Sequence, residues 1–204
     1  MVARTALASE KAWRKYARHV EICGLDIDLV PLEERDRREM EQFQDRLDAG
    51  IVYLRHGSYL SAAIRKSPSW LERQWNKETQ DGFSQGAFLS GCLIGIGSIY
   101  QSAGRQSAEA ALVVASEFQG LGRCGGKGVG GLLLEDLIRY ARDEGLERVT
   151  GYFAVRNPRC ERLLRKYGFE IFAWSYLKQE GSAVLDLSRH SSPAEAHAGF
   201  VGSG

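Results

Sequence analysis

The sequence is poor in the residues that hold metal ions or cross-link small domains. Its 204 residues include only 4 cysteines and 4 histidines, and no two cysteines form a CxxC pair. A structural zinc site needs four cysteine or histidine ligands at short spacing, so no metal site is predicted. The cysteines are instead expected to be reduced thiols, as is usual in a cytoplasmic protein.

The sequence also lacks a charge excess of either sign and any long apolar run. Its net charge is +1, so it offers no overall attraction to nucleic acid or to an anionic membrane. No apolar stretch approaches the ~20 residues that span a bilayer, and no export signal is recognisable at the N-terminus. We therefore expect a cytoplasmic protein with neither nucleic-acid nor membrane partners; the sequence specifies no oligomeric state.

What is present is the composition of an ordinary globular protein, with 44% hydrophobic and 26% charged residues. We predict three segments. A basic N-terminal arm over 1–22 is expected to form an amphipathic helix that packs Trp13, Tyr16 and Val20 onto the domain, with membrane binding as the weaker alternative. One folded domain is expected over 23–189, and a mobile tail rich in Ser, Ala and Gly over 190–204.

Apolar periodicity predicts the elements of that domain. Strands are predicted at 25–30, 86–90, 92–100, 107–115, 147–155, 169–177 and 182–189. Helices are predicted at 33–47, 67–78, 129–145 and 157–168, the last with Asn157 as its N-cap and Pro158 at its first position. This order predicts the α+β class, with a mixed, mostly antiparallel sheet flanked by helices.

The most unusual stretch is QGLGRCGGKGVGG, residues 119–131, in which seven of thirteen residues are glycine. Glycine lets successive backbone amides converge and leaves no side chain in the way of a close ligand. The stretch joins an apolar strand directly to an apolar helix, which argues against a flexible linker. Its position favours an anion-binding turn at a helix N-terminus, where free amides and the helix dipole attract negative charge.

Two nucleotide-binding motifs match this stretch poorly. A Walker A loop requires Gly five residues before Gly126 and Ser or Thr after Lys127, whereas the chain has Leu121 and Gly128 there. The dinucleotide fingerprint G-x-G-x-x-G occurs twice, but no acidic residue ends the next strand to bind a ribose. A nicotinamide-dependent oxidoreductase is therefore the weaker alternative, and a turn that cradles a pyrophosphate is favoured.

The segments ALVVASEFQG, GKGVGGLLLEDLIRYARDEGLERV and NPRCERLLRKYGFE, in that order, resemble the core of the GNAT acyltransferases. The resemblance extends from about Gly86 to Leu187 and rests on the order of five matching elements more than on any one motif. It implies a GNAT fold, acetyl-CoA as co-substrate, and an N-acetyltransferase activity toward a primary amine.

The resemblance also implies which residues bind the cofactor. Amides of the glycine loop would hold the coenzyme A pyrophosphate, the preceding strand would pair with the pantetheine arm, and Asn157 would lie beside the cofactor where two strands diverge. The implied cofactor-binding residues are Leu112, Val113, Val114, Gln119, Gly126, Lys127, Gly128, Val129, Gly130, Gly131 and Asn157.

The loop is roughly six residues longer than the family's, so two alignments remain open. In one, Gln119 and Gly122 begin the loop, and Cys124 stands where the family has Gly or Ala. In the other, residues 126–130 form the loop, and Gly125 replaces Gln or Arg. The second alignment is preferred because it places the loop directly on the helix start, where the dipole acts. The extra residues would bulge outward at modest entropic cost, or else distort the cradle.

Acetyl transfer to an amine needs a base, because a lysine amine with a pKa near ~10.4 is almost fully protonated at neutral pH. Glu109 is the only carboxylate inside the strand before the loop. The phrase AEAALVVASEFQG resembles the bacterial Pat-type protein lysine acetyltransferases, which carry a glutamate at this position. We predict that Glu109 is the general base; a solvated residue on an alternating strand is the alternative.

Many GNAT enzymes protonate the leaving thiolate with a tyrosine, at the position of Leu164 in this chain, so water would serve here. The sequence thus predicts a metal-free, acetyl-CoA-dependent N-acetyltransferase that works by direct attack. A protein lysine is the first choice of acceptor, and a small amine or amino-acid derivative the second. A regulatory module that binds acyl-CoA without turnover is a further alternative, because of the longer loop and the missing tyrosine.

Overall fold

The computed structural model describes residues 14–56, 60–65, 67–79, 82–101, 106–121, 127–154, 156–175 and 180–188. Its strands are β1 (Arg18–Ile22), β2 (Leu25–Pro31), β3 (Gly82–Leu89), β4 (Cys92–Gln101), β5 (Ser107–Val114), β6 (Arg148–Ala154), β7 (Glu170–Ser175) and β8 (Glu180–Asp186). Its α-helices are α1 (Arg37–Arg46), α2 (Ala49–His56), α3 (Ala62–Arg65), α4 (Pro68–Thr79), α5 (Val129–Asp143) and α6 (Pro158–Lys166).

These strands form one 8-stranded sheet in the order β1-β2-β3-β4-β5-β6-β8-β7. Neighbouring strands are antiparallel except β5 and β6, which are parallel. The predicted α+β class with a mixed, mostly antiparallel sheet is confirmed. The parallel pair is short, since it joins only Ser107–Ala110 to Arg148–Gly151. Beyond it β5 continues to Val114 and β6 to Ala154, so the two strands diverge.

Helices cover the two faces of the sheet because each presents an apolar stripe to it. On one face α5 and α6 pack through residues such as Leu134, Leu137 and Leu164 against Val149 and Phe153 of β6. On the other face α1, α2 and α4 pack against strands β3, β4 and β5; this second core includes Met40, Phe43, Val52, Trp75, Phe88, Ile96 and Val113.

The start of the described chain differs from the prediction. Residues 14–16 form a short 3-10 helix and residues 18–22 form β1, so the predicted helix through residue 22 is wrong over this part. The expected packing of Tyr16 is confirmed, because its side chain is fully buried and its hydroxyl donates to Asp143 Oδ2 at 2.7 Å. Residues 1–13 and 189–204 lie outside the described residues, and the boundaries at 22 and 189 remain predictions.

A buried polar cluster ties β1 and β3 to the middle of α5. Asp136 is 1% exposed, and its carboxylate accepts hydrogen bonds from Arg18 Nε at 3.1 Å and from Gln85 Nε2 at 3.2 Å. Burial raises the pKa of Asp136, while the Arg18 guanidinium opposes that rise. The cluster holds α5, whose N-terminus follows the glycine stretch, in a fixed position on the sheet.

Two further findings bear on the composition. In the described part of the chain, every helix is too short or too polar to cross a bilayer. Cys92 and Cys160 are free thiols, whereas Cys23, in the turn between β1 and β2, is disulfide-bonded. The prediction that all the cysteines are reduced is therefore wrong for Cys23.

Candidate active site

A cleft of about 900 Å³ opens where β5 and β6 diverge. It is lined by β5, the chain that follows β5, the first turn of α5, β6, α6 and residues of α2. Eleven of the residues predicted from the sequence line it together: Glu109, Leu112, Val113, Val114, Gln119, Lys127, Gly128, Val129, Gly130, Gly131 and Asn157. The twelfth, Gly126, lies outside the described residues.

The edge of β5 that faces the cleft carries backbone groups that no neighbouring strand pairs with, although Val114 O accepts from the Gln119 side chain. The amide of Ala115 donates to Ile94 O on β4, and a strand alternates the side to which its residues hydrogen-bond. Leu112 and Val114 therefore direct their backbone groups toward β6, which has already diverged, whereas Val113 directs its groups toward Ile96 of β4. An extended ligand in the cleft can pair with the backbone of Leu112 and with the amide of Val114, as a missing strand would.

The N-terminus of α5 presents free amides to the same cleft. Gly128 is the N-cap, with φ −79° and ψ 169°, and its carbonyl accepts from the amides of Gly131 at 2.9 Å and Leu132 at 3.1 Å. The amides of Val129 and Gly130 make no hydrogen bond in the described part of the chain, as expected for the first residues of a helix. Together with the helix dipole they form a candidate anion site.

Glycine keeps this anion site open. A Cβ at Gly130 would lie 3.6 Å from Leu163 Cδ2 and 3.8 Å from Val114 Cγ2, between α6 and the end of β5. A side chain there would therefore occupy the space between the helix start and the strand edge. The helix begins at Val129, so Lys127 and Gly128 directly precede it. The choice between the two loop alignments stays a prediction.

Two of the predicted binding side chains already have protein partners. The Gln119 side chain donates from Nε2 to Val114 O at 2.9 Å and accepts from Arg159 at 3.3 Å. The Lys127 ammonium lies 2.6 Å from Glu135 Oε1. Gln119 therefore fastens the end of β5 to the start of α6, and Lys127 faces α5, so their side chains shape the cleft through these contacts.

Asn157 starts α6 at the rim of the cleft. Its side chain accepts from the Cys160 amide at 3.1 Å, which confirms the predicted N-cap. Burial raises the pKa of the neighbouring Cys160 thiol to about 11, so this thiol stays protonated near neutral pH and is a poor nucleophile.

Glu109 lies on β5 within the short parallel pairing, directly before the divergence. It is opposite Thr150 of β6 and Tyr100 of β4, and its side chain is exposed. Among the described residues its carboxylate makes no hydrogen bond or ion pair. An exposed, unpaired carboxylate on the wall of a cleft is free to accept a proton from a ligand bound there.

The cleft also contains residues that sequence reasoning missed. Arg159, Arg162 and Lys166 line it from α6, at the three-, four- and seven-residue spacing of one helix face. The sequence NPRCERLLRK shows the spacing of this basic stripe, but only the fold shows that the stripe faces the cleft. Other lining residues that were missed come from α2, β6 and β8: Ile51, Tyr53, Leu54, Arg55, Tyr152 and Glu180.

Leu164 and Tyr167, near the end of α6, lie in different surroundings. Leu164 stands where many GNAT enzymes have a tyrosine. Its side chain is 4% exposed and packs in the core. The Tyr167 hydroxyl is buried and has no hydrogen-bond partner among the described residues, and burial raises the pKa of Tyr167 to about 12. No group of three or more metal-binding side chains was found in the described ranges.

Comparison with known proteins adds the family and the fold. A family model described as the acetyltransferase (GNAT) family matches residues 51–169, more than half of the chain. Among solved structures, the GNAT domain of PAT from S. lividans superposes with a TM-score of 0.70, at 19% identity, over 85% of this chain and 98% of that one.

Two further structures are similar in fold. Spermidine N-acetyltransferase from Vibrio cholerae, in complex with CoA and spermine, gives a TM-score of 0.60 at 20% identity, over 79% of this chain and 96% of that one. Ribosomal-protein-alanine N-acetyltransferase from Brucella melitensis gives a TM-score of 0.55 at 19% identity, over 78% of this chain and 99% of that one. These similarities establish the fold, while their acceptors differ from one another.

Proposed function

The chain belongs to the GNAT family of acetyltransferases, and from this membership we propose that it transfers an acetyl group from acetyl-CoA to a primary amine, with a protein lysine as the acceptor. The observation that carries the proposal is one cleft that joins three features. They are the free amides at the start of α5, the edge of β5 beyond its pairing with β6, and the carboxylate of Glu109.

Acetyl-CoA suits this cleft by its chemistry. Its pyrophosphate would accept hydrogen bonds from the amides of Val129 and Gly130. Its amide-bearing pantetheine arm would pair with the edge of β5 at Leu112 and at the amide of Val114. The guanidinium and ammonium groups of α6 would offset the remaining phosphate charge. This orientation places the thioester end toward Glu109.

Glu109 would act as the general base. It removes one proton from the acceptor ammonium, directly or through a water molecule, and the neutral amine then attacks the thioester carbonyl carbon. The new N–C bond forms, the C–S bond breaks, and the released thiolate takes a proton from water. A β5 amide such as that of Leu112 or Val114 would stabilise the oxyanion of the tetrahedral intermediate.

The experiment measures thiol release from acetyl-CoA in the presence of a lysine peptide, with the wild-type protein and Glu109→Gln. Loss of a general base typically lowers turnover by about 10² to 10⁴-fold. We expect a fall in kcat of that order with an unchanged dissociation constant for acetyl-CoA. The anion site lies beside Val114, which is five strand residues, or roughly 17 Å, from Glu109.

Glu144→Gln is the matched control, since this exposed carboxylate lies at the opposite end of α5. Its turnover should equal that of the wild type. Equal turnover in Glu109→Gln would contradict the base assignment. Acetyl-CoA binding without thiol release, across many amines, would instead favour the regulatory module, for which the buried Leu164 is the supporting observation.

A small polyamine is the second candidate acceptor, since the similar structure from Vibrio cholerae is a spermidine N-acetyltransferase. Comparing kcat/KM for spermidine with that for a lysine peptide separates the two classes. A cytoplasmic location, and the absence of nucleic-acid and membrane partners, remain predictions from the sequence.

A further inference from the structure

The sheet carries an exposed row of side chains beside the cleft. Tyr152 of β6, Ser182 of β8 and Phe172 of β7 are successive partners across three adjacent strands, and partners in register point to the same face. We call these three residues the aromatic platform. The adjacent row on the same face, nearer the start of β6, consists of Glu109, Thr150, Val184 and Glu170.

The aromatic platform is unusually apolar for a solvent-facing surface. Tyr152 is 59% exposed and Phe172 is 49% exposed. Of the large hydrophobic residues in the described ranges, these two and Ile64, at 47%, are the ones that are exposed. Two large exposed rings on one row of a sheet indicate an interaction surface more strongly than scattered single residues do.

The platform is continuous with the cleft. Tyr152 lines the cleft together with Glu109 and Glu180, whereas Phe172 lies outside it. Strands are about 4.8 Å apart, so Phe172, three strands from β5, is displaced from Glu109 by about 14 Å across the sheet. A lysine side chain, with its four-carbon stem, cannot contact both residues, but a polypeptide carrying that lysine can.

The border of the platform is acidic. Glu109 and Glu170 flank it in one adjacent row, and Glu180, two positions before Ser182 on β8, lies on the other side; all three are exposed. The basic residue on this face of β6, Arg148, is directly opposite Asp186. The field over the platform therefore favours a cationic ligand.

We propose that the aromatic platform binds the acceptor polypeptide, and that Phe172 determines specificity by contacting an apolar residue that flanks the target lysine. The acidic border favours further basic residues in the same segment. This inference rests on the proposed function and narrows its acceptor to an extended, basic segment with an apolar flanking residue. A polyamine has no apolar side group to place on Phe172.

The test compares Phe172→Ala with the wild type on three acceptors: a lysine peptide with flanking leucine and arginine residues, the same peptide with glycine in place of leucine, and lysine amide. We expect KM for the leucine peptide to rise about tenfold, which corresponds to ~1.4 kcal/mol. The values for the glycine peptide and for lysine amide, which cannot reach Phe172, should stay unchanged. Ile64→Ala removes an equally exposed apolar side chain away from the platform and should change none of them.

A second variant tests the charge of the border. Glu170→Lys should raise KM for an arginine-flanked peptide several-fold, and the effect should shrink at high salt because exposed charges are screened. A matched peptide with neutral flanks should respond less. An equal response of both peptides would overturn the electrostatic part of the inference.

Other outcomes separate the possible failures. Equal KM for the leucine peptide in the wild type and Phe172→Ala, with normal turnover, overturns the platform and leaves the acetyltransferase proposal standing. Turnover of spermidine but of none of the lysine acceptors also overturns the platform and leaves the acetyltransferase proposal standing. A wild-type dimer in sedimentation that dissociates in Phe172→Ala assigns the platform to self-association and overturns the inference. Absence of thiol release with every amine overturns the proposed function itself.

Discussion

At the scale of single residues, the first turn of α5 and the end of α6 meet at a buried polar group, the Tyr167 hydroxyl. The Tyr167 hydroxyl is buried without a hydrogen-bond partner in the described part of the chain. A Cβ added to Gly131 would lie 3.1 Å from that hydroxyl. The glycine therefore provides room for the hydroxyl of Tyr167, a residue that also lines the cleft.

Removal of this hydroxyl is expected to stabilise the protein. A buried polar group without a partner costs about 1 to 3 kcal/mol, so Tyr167→Phe should raise the free energy of unfolding by about 1 kcal/mol. Urea denaturation followed by circular dichroism measures the difference. Tyr53→Phe, at a half-buried residue of α2, is the control and should not raise stability. A less stable Tyr167→Phe would contradict the prediction.

The two residues should also be coupled. In the wild type, the gain of about 0.5 to 1 kcal/mol expected for Gly→Ala in a helix is offset at Gly131 by the contact with the hydroxyl. In the Tyr167→Phe background that contact is absent, so the same Gly131→Ala change should stabilise. A double-mutant cycle measures the coupling, and strictly additive effects would count against it.

At the scale of elements, the start of α6 depends on its cap. Asn157 accepts from the Cys160 amide, and Pro158 occupies the first helical position. The helix is short and strongly amphipathic, and it packs on β6 through Leu164. Because its basic face lines the cleft, the cap sets the position of one wall of the site.

Asn157→Ala should therefore cost about 1 kcal/mol of stability, the usual price of a lost N-cap. Asn157→Asp keeps an acceptor oxygen at the same place and favours the positive end of the helix, so it should retain most of the wild-type stability. Chemical denaturation of the three proteins distinguishes these cases. An equal loss of stability in Asn157→Ala and Asn157→Asp would show that the lost N-cap hydrogen bond does not cause the destabilisation.

At the scale of the whole molecule, the start of the described chain is fastened to the far end of α5. Lys15 lies 2.7 Å from Asp143 Oδ2, and Tyr16 donates to the same carboxylate. The Lys15 ammonium and then the Tyr16 hydroxyl hold the pKa of Asp143 below its usual value of 3.8. The edge strand β1 is thus anchored at one side by its pairing with β2 and at the other by α5.

This contact should make stability depend on pH. A carboxylate with a lowered folded-state pKa contributes stability above its unfolded pKa and loses it as the pH falls through the folded value. Asp143→Asn should therefore be less stable than the wild type at neutral pH, by no more than about 1 kcal/mol because the group is partly exposed. The difference should shrink as the pH falls below 3.8 and vanish once Asp143 is protonated in the folded protein as well. Glu144→Gln is the control, and a pH-independent difference would contradict the mechanism.

Local patterns predicted much of the fold. The spacing of leucines after Val129, the Asn157-Pro158 pair and the alternating strands were read correctly because each follows from neighbouring residues. The segment through residue 22 was misread because Tyr16 and Val20 stand at a helical spacing, whereas pairing with β2 makes residues 18–22 a strand. Helix α2 was not predicted, because Gly57 and Ser58 interrupt the pattern around it.

The sequence by itself determined the glycines at the start of α5, the carboxylate of Glu109 in the preceding strand, and the order of elements that identifies the family. These are properties of short stretches, and local physics is sufficient to read them. Only the tertiary structure decided that β5 and β6 separate after Ala110, that the basic face of α6 turns into the resulting cleft, and that Tyr152 and Phe172 share one exposed row. Those facts depend on the register between strands that are distant in the chain, and register is set by the packing of the complete sheet.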